Sequence, residues 1–230
     1  MRPPAGRPFT LVLEGGGEGS RGSNVAPVIL TISREYGAAG LAVAKGVAAV
    51  LALELVTDEV EHAAAARLGT SSDEVAEAES GPSLAERLMR GFREATAETS
   101  DPNNPVVDFE DTVRAEIEEA IRERALRDNV VFLGRFANAV LAGRPGLLRV
   151  FLHADRPWRV ARISNLFAMT AEQAGSEIDR TDAERRTIAK DRYGIVWGGR
   201  ASYDLIANVA RLGIDGATRA VVAAGSPGRA

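Results

Sequence analysis

The sequence predicts an α/β fold, a three-layer parallel sheet with helices on both faces. Three observations carry this expectation. Val28-Ile29-Leu30-Thr31-Ile32-Ser33 is apolar and β-branched without a polar alternation, as in a strand covered on both faces. A glycine turn, Arg34-Glu35-Tyr36-Gly37-Ala38-Ala39-Gly40, follows it and opens into the alanine-rich segment Leu41 to Leu53, whose apolar residues recur at helical spacing. Further apolar runs then alternate with helical segments, with no internal repeat, which is the order of a parallel sheet wound with crossover helices.

Along the chain, residues 1 to 25 are rich in Gly and Pro without helical or strand periodicity, and are expected to be a flexible leader to a domain spanning 26–230. After the first strand, turn and helix, Glu54 to Thr57 is a short second strand. Asp58 stands where it could cap a helix from Glu59 to Arg67. Ser83 to Thr96 places Leu84, Leu88 and Phe92 on one helical stripe, and the Asp101–Pro105 segment ends it as a surface loop. Asp111 to Arg127 reads as a long helix with Val113, Ile117, Ala120, Ile121 and Ala125 inward, leading to the buried strand Val130–Leu133. A short helix to about Leu141, a strand over Leu147–His153 and a helix capped by Asp155 follow. An arginine-rich helical region then runs to Arg192, before a last strand over Tyr203–Ala207 and a helix from Asp215 to Ala224. Ligands of such sheets bind at the carboxyl ends of the strands.

Composition narrows the classes of function. The 230 residues, 45% hydrophobic, suffice for one sizeable core. A net charge of -4 gives no electrostatic reason to expect a nucleic acid polymer or an anionic membrane as partner. No segment is long and apolar enough to span a membrane, and the run Phe9–Leu13 is too short for a secretory core, so a cytoplasmic location is expected. The absence of cysteine excludes disulfides, thiolate metal sites and thiol catalysis. His62 and His153 are far apart and are read as exposed or capping groups. Trp158 and Trp197 are read as packing the helix layer or lid, and Met89 and Met169 as core. Lys45 and Lys190 are the only lysines, which limits where a phosphate-binding lysine could come from.

The turn at Gly37–Gly40 presents unhindered backbone amides at a helix start, where the helix dipole and unpaired N–H groups favour an anion. On its own such a turn serves structure equally well. Ile32-Ser33-Arg34-Glu35-Tyr36-Gly37-Ala38-Ala39-Gly40 resembles the first motif of the cytidylate kinase-like family, whose usual form is Ser-Arg-Glu-Tyr-Gly-Ser-Gly-Gly. Gly134-Arg135, the strand Leu148–Leu152, Arg159 with Arg162, Arg180-x-Asp182-x-x-Arg185 and Tyr203-Asp204-Leu205 follow in the family's order, so that the resemblance covers about residues 28 to 225.

That resemblance implies a P-loop kinase type of fold with a helical lid over approximately 168–195, ATP and magnesium as cofactors, and phosphoryl transfer to a nucleoside monophosphate, CMP being the expected acceptor. Ser33, Gly37, Ala38, Ala39, Gly40 and Leu41 would hold the donor phosphates. Arg34, Arg180, Asp182 and Arg185 would be catalytic, and Asp58 and Arg135 would bind the acceptor. Arg135 suits bidentate contact with phosphate oxygens, and serves equally in a surface ion pair. Nucleotide substrates are the expected partners, and a homo-oligomer is compatible with the sequence.

The phosphate loop departs from the standard G-x-x-x-x-G-K-[ST] pattern. Gly40 falls at the lysine position, and Leu41 and Ala42 where the hydroxyl would be. Family members also lack the lysine, but usually carry serine where this chain has Ala38. Arg34 is the nearest cation, while Lys45 lies more than a turn into the helix. Glu35, Asp58 and Asp182 are the candidate magnesium ligands. Losing preorganised contacts to developing charge costs about 100- to 1,000-fold each in rate, so the alternative is a catalytically degenerate nucleotide- or phosphate-binding regulatory domain.

Overall fold

Burial on both faces turns the apolar runs of the sequence into one continuous parallel sheet. The computed structural model describes residues 28–57 and 106–226. Its strands are β1 (Ile29–Arg34), β2 (Glu54–Val56), β3 (Val130–Leu133), β4 (Leu147–His153) and β5 (Leu205–Asn208), hydrogen-bonded in the order β2-β3-β1-β4-β5. All four pairings are parallel, and β1 lies at the centre with Ile32 opposite Leu133 of β3 and Val150 of β4. Its alternate residues feed two cores. Leu30 and Ile32 join Val43 and Val47 of helix α1 (Gly40–Leu51) and Ala217 and Val221 of helix α6 (Val209–Gly225). On the opposite face Ile29 packs with Ile117 and Ile121 of helix α2 (Val106–Ala125) and with Ala137 of the short helix α3 (Ala137–Val140). The expected three layers are therefore present.

Helices α4 (Arg156–Phe167) and α5 (Ala171–Tyr193) pack together at the C-terminal edge of the sheet, with Ile163, Ala174, Ile178 and Tyr36 as their shared core. Thr170 separates the two helices. Its hydroxyl accepts the Gln173 N–H at 3.2 Å, and the Gln173 side chain accepts the Thr170 N–H at 2.9 Å, a reciprocal cap that fixes the start of α5.

Several expected boundaries shift, each for a local reason. β5 begins at Leu205 rather than Tyr203, because Asp204 turns its carboxylate onto the Arg149 backbone N–H (2.8 Å) and guanidinium (2.7 Å) at the strand entry. Helix α6 opens with a turn at Val209 that the sequence pattern does not show, where Asn208 caps the Arg211 N–H at 3.1 Å; Gly213, with φ 70°, then kinks it, and the segment beyond the kink is the helix expected from Asp215. Helix α2 starts at Val106 rather than Asp111, and ends at Ala125 rather than Arg127 because Asp128 and Asn129 adopt left-handed φ of 50° and 49°. Asp155 occupies the N-cap position of α4 without a side-chain capping bond. Met169, expected in the core, is 38% exposed in the α4–α5 connection. The leader, Asp58, His62, Met89, the helices expected at 59–67 and 83–96 and the loop at 101–105 lie outside the described residues.

Candidate phosphate site

The site is built from the turn between β1 and α1. Glu35 N–H bonds the Leu152 carbonyl at 3.0 Å, carrying the chain beyond the sheet, and Ala38 N–H bonds back to the Glu35 carbonyl at 3.1 Å. Gly37 takes φ 82° and Ala39 φ 57°, left-handed values that turn the backbone into the helix. The first helical hydrogen bond joins Val43 N–H to the Ala39 carbonyl at 3.2 Å. Ala39 offers no side-chain cap, and no acidic residue lies in the first turn of α1. The leading amides of Gly40, Leu41 and Ala42 therefore precede the helix's own hydrogen bonds without an N-cap side chain, and no first-turn carboxylate offsets the positive end of the helix dipole.

Arginines approach this turn from two elements, and a third lies beside it. The Arg34 stem lies across Gly40, where a Cβ would come within 2.7 Å of its Cγ. The guanidinium ends against Gly134, where a Cβ would overlap Nη1. Two glycines thus make the path by which Arg34 bridges the ends of β1 and β3. Arg135 is the next residue after that contact. Gly134, Arg135 and Phe136 take φ of 85°, 57° and 53°, three successive left-handed residues, a conformation that costs the two side-chain-bearing positions on the order of 1–2 kcal/mol each and is concentrated at binding sites. From α5, Arg185 Nη1 donates to the Arg34 carbonyl at 3.1 Å and its guanidinium lies 6.0 Å from the centre of the Tyr36 ring.

Behind the turn is a buried charge cluster. Arg159 of α4, 6% exposed, donates through Nε to the Ala154 carbonyl at 3.0 Å and through Nη1 to the Tyr36 carbonyl at 3.0 Å and Asp182 Oδ2 at 2.6 Å. Asp182, 1% exposed, also accepts the Tyr36 N–H at 2.9 Å through Oδ1. Glu35 Oε2 accepts the Ala154 N–H at 3.1 Å and lies 3.3 Å from Arg159 Nε. Burial of the Tyr36 ring, together with the nearby Glu177 carboxylate, raises its hydroxyl pKa. Ser33 has turned to the other side of the turn, its hydroxyl donating to Asn138 Oδ1 at 3.3 Å.

Arg180 points elsewhere. It pairs on its own helix with Glu177 (2.5 Å) and Glu184 (2.6 Å), contacts that raise its pKa further. Hence Arg34, Arg185 and Asp182 converge on the turn with Gly37–Leu41, Arg135 sits beside it, and Arg180 is held along α5. Three participants were not given a role by the sequence: Arg159, Arg114 and Tyr193. The family order flagged Arg159 only as a position, and its partners lie 23 and 123 residues away. Tyr193 stacks on Phe136 with ring centres 5.2 Å apart and donates to Glu118 Oε1 at 3.0 Å, while Arg114 of α2 lies close to the same hydroxyl. The Arg114 Nε is buried without a hydrogen-bond partner among the described residues. Burial, reinforced by Glu118, pushes the Tyr193 hydroxyl up to about 12.

The model of the cytidylate kinase-like family matches residues 29–211, which contain the turn, Arg135, the Arg159 cluster and the whole of α5. The chain belongs to the cytidylate kinase-like family. In keeping with a cytidylate kinase-like member, solved structures share its fold. An uncharacterized protein from Eubacterium ventriosum is similar over 86% of this chain and 98% of its own, at 19% identity and a TM-score of 0.61. Shikimate kinase from Bacteroides thetaiotaomicron is similar over 85% and 96%, at 14% identity and a TM-score of 0.50. TT1252 from Thermus thermophilus is similar over 86% and 97%, at 17% identity and a TM-score of 0.50. No curated protein matches the sequence. Among the described residues no helix is long and apolar enough to cross a membrane.

The two cofactors expected of a cytidylate kinase-like protein fit unequally. Uncapped amides, small side chains at Gly37–Gly40 and the adjoining arginines suit a polyphosphate. Magnesium finds no equivalent. Among the described residues no three His, Asp or Glu side chains cluster as metal ligands, and the carboxylates of Glu35 and Asp182 are turned onto Ala154, Tyr36 and Arg159.

Two outcomes follow from this geometry. Gly134→Ala should lower the unfolding free energy by about 1–2 kcal/mol from the left-handed backbone alone, and by more where Arg34 is displaced; chemical denaturation reads it. In alkali, the raised pKa of Tyr193 means that its contribution to stability is complete below its ordinary value of 10.0 and is lost as pH rises toward about 12. Tyr193→Phe should therefore lose less stability across that window than wild type, measured by denaturation at a series of pH values.

Proposed function

We propose that this protein catalyses ATP-dependent phosphoryl transfer to a nucleoside monophosphate, with CMP as the acceptor. The observation that carries this reading is the bridge made by Arg34 between the amide-lined turn and Gly134-Arg135, joining a donor-phosphate cradle to a second cationic position at the next strand end. Gly37–Leu41 hold the donor phosphates through backbone amides. Arg34 and Arg185 balance the charge of the phosphoryl group in flight, Arg34 standing in for the missing lysine. Arg135 grips the acceptor phosphate. An acceptor phosphate oxygen attacks the γ-phosphorus, the bond to the β-phosphate oxygen breaks, and the products are ADP and a nucleoside diphosphate. Such a transfer asks little covalent chemistry of the protein beyond alignment and charge.

A second reading, a nucleotide-binding regulatory domain without turnover, is favoured by one observation: the carboxylates nearest the turn, Glu35 and Asp182, are engaged in hydrogen bonds that hold the protein together. A coupled assay across the nucleoside monophosphates at millimolar ATP and magnesium separates the two. The kinase reading expects turnover highest with CMP, and a CMP affinity weakened roughly 10- to 100-fold in Arg135→Ala by loss of a bidentate charged contact. No product with any acceptor, alongside stabilisation by ATP, would select the regulatory reading. Unchanged CMP affinity in the variant would remove Arg135 from the acceptor site.

A further inference from the structure

The Arg159–Asp182 ion pair closes a ring around a single residue of the turn. Asp182 Oδ1 accepts the Tyr36 N–H at 2.9 Å, Arg159 Nη1 donates to the Tyr36 carbonyl at 3.0 Å, and the same Nη1 meets Asp182 Oδ2 at 2.6 Å. Both backbone polar groups of Tyr36 are therefore held by one buried pair, whose members come from different helices. Helix α4 lies directly behind the next residue: a Cβ on Gly37 would meet Ile163 Cγ1 at 3.0 Å and Arg159 Cβ at 3.3 Å. Three residues beyond Asp182, Arg185 of the same helix reaches the Arg34 carbonyl at 3.1 Å.

Burying such a pair is costly, and apolar side chains would join α4 to α5 at least as firmly. What the pair supplies, and apolar side chains cannot, is direction: two hydrogen bonds of opposite polarity that fix the rotation of the backbone leading into the amide cradle. Neither Arg159 nor Asp182 has exposed surface to offer a ligand, at 6% and 1%.

We propose that Arg159 and Asp182 are positioning residues that set the anion-binding shape of the turn and tie it to helix α5. Affinity at Gly37–Leu41 and the reach of Arg185 then change together. This rests on the phosphate-binding reading of the turn. It also assigns Asp182 to the support of the site rather than to contact with the reacting groups, and makes the middle of α5 an attached part of the phosphate cradle rather than an independent flap.

The test compares wild type, Asp182→Asn and Arg159→Lys by titration calorimetry with ATP and with CMP separately, and by amide hydrogen exchange. Arg159→Lys keeps the charge but loses the guanidinium fork. Both variants should weaken ATP roughly 10- to 100-fold, the scale on which small displacements of a binding group act, while CMP affinity is kept. Exchange should quicken at Tyr36–Ala39 while Ile29–Ile32 in β1 stay protected. Equal weakening of ATP and CMP, exchange rising through the whole sheet, or failure of both variants to fold would make the pair purely structural and overturn the proposal. So would unchanged ATP affinity and unchanged exchange at Tyr36. Wild-type protein that binds no ATP would refute the phosphate reading itself and the affinity part of the proposal. The Tyr36 exchange rate would then still decide whether the pair holds the turn.

Discussion

Asp182→Ala should lower the unfolding free energy by about 3 kcal/mol, the lower end of the 3–5 kcal/mol seen when one member of a buried ion pair is removed. The side chain is 1% exposed and lies 2.6 Å from an Arg159 nitrogen, so alanine leaves a guanidinium without its nearest counter-charge in the interior. It also leaves the Tyr36 N–H without its acceptor, a loss that alone costs about 1–3 kcal/mol when water cannot replace it. Two features hold the total down. Glu35 remains 3.3 Å from Arg159 Nε, and the Ala154 and Tyr36 carbonyls still accept from the guanidinium. Urea denaturation with an unchanged slope would report the difference directly. A variant as stable as wild type would mean that the cluster is not the joint between the turn and α5.

Arg34→Met should lower kcat by about 100- to 1,000-fold, the usual cost of losing one preorganised contact to charge developing in the transition state. Methionine keeps an unbranched stem across Gly40 while the cation at Gly134 is lost. Arg34→Lys should recover only part of the rate, because a point-like ammonium with shorter overall reach does not reproduce the planar guanidinium against Gly134. Steady-state kinetics with ATP and CMP measure both variants. Unchanged kcat in Arg34→Met would remove the substitute for the missing lysine.

Much of the fold was legible because burial imposes a pattern on the chain. β4 is legible to the residue, Leu147–His153, since an apolar run follows a Gly-Arg-Pro-Gly turn. β1 and its glycine turn were legible for the same reason. Errors arose where a side chain does work that hydrophobicity does not encode. Tyr203 and Asp204 looked like strand, but Tyr203 packs its ring 5.0 Å from that of Phe151 and Asp204 binds Arg149 across the sheet entry. Gly213 kinks α6, so that the helix from Asp215 is legible in the sequence while the turn before it, from Val209, is not.

The candidate site divides in the same way. Arg34, Gly37 and Arg185 belong to local motifs and could be named from them. The partners of Arg159 are set by tertiary folding, so that sequence could mark the residue but not its role. The motif names Asp182 as a candidate, but a carboxylate in an arginine-rich helix carries no sign in the sequence that both its oxygens are bonded, to the Tyr36 N–H and to Arg159. Arg114 and Tyr193, on helices that meet only in the folded chain, left no local signal at all.

Binding of the ATP phosphates by the turn from Gly37 to Leu41 can be read by backbone-amide NMR during an ATP titration. Saturable shifts are expected at Gly37–Leu41 and at Gly134–Phe136, with those at Gly37–Leu41 much reduced in Arg34→Met. Shifts scattered over the surface, or none at these amides at millimolar ATP, would contradict it.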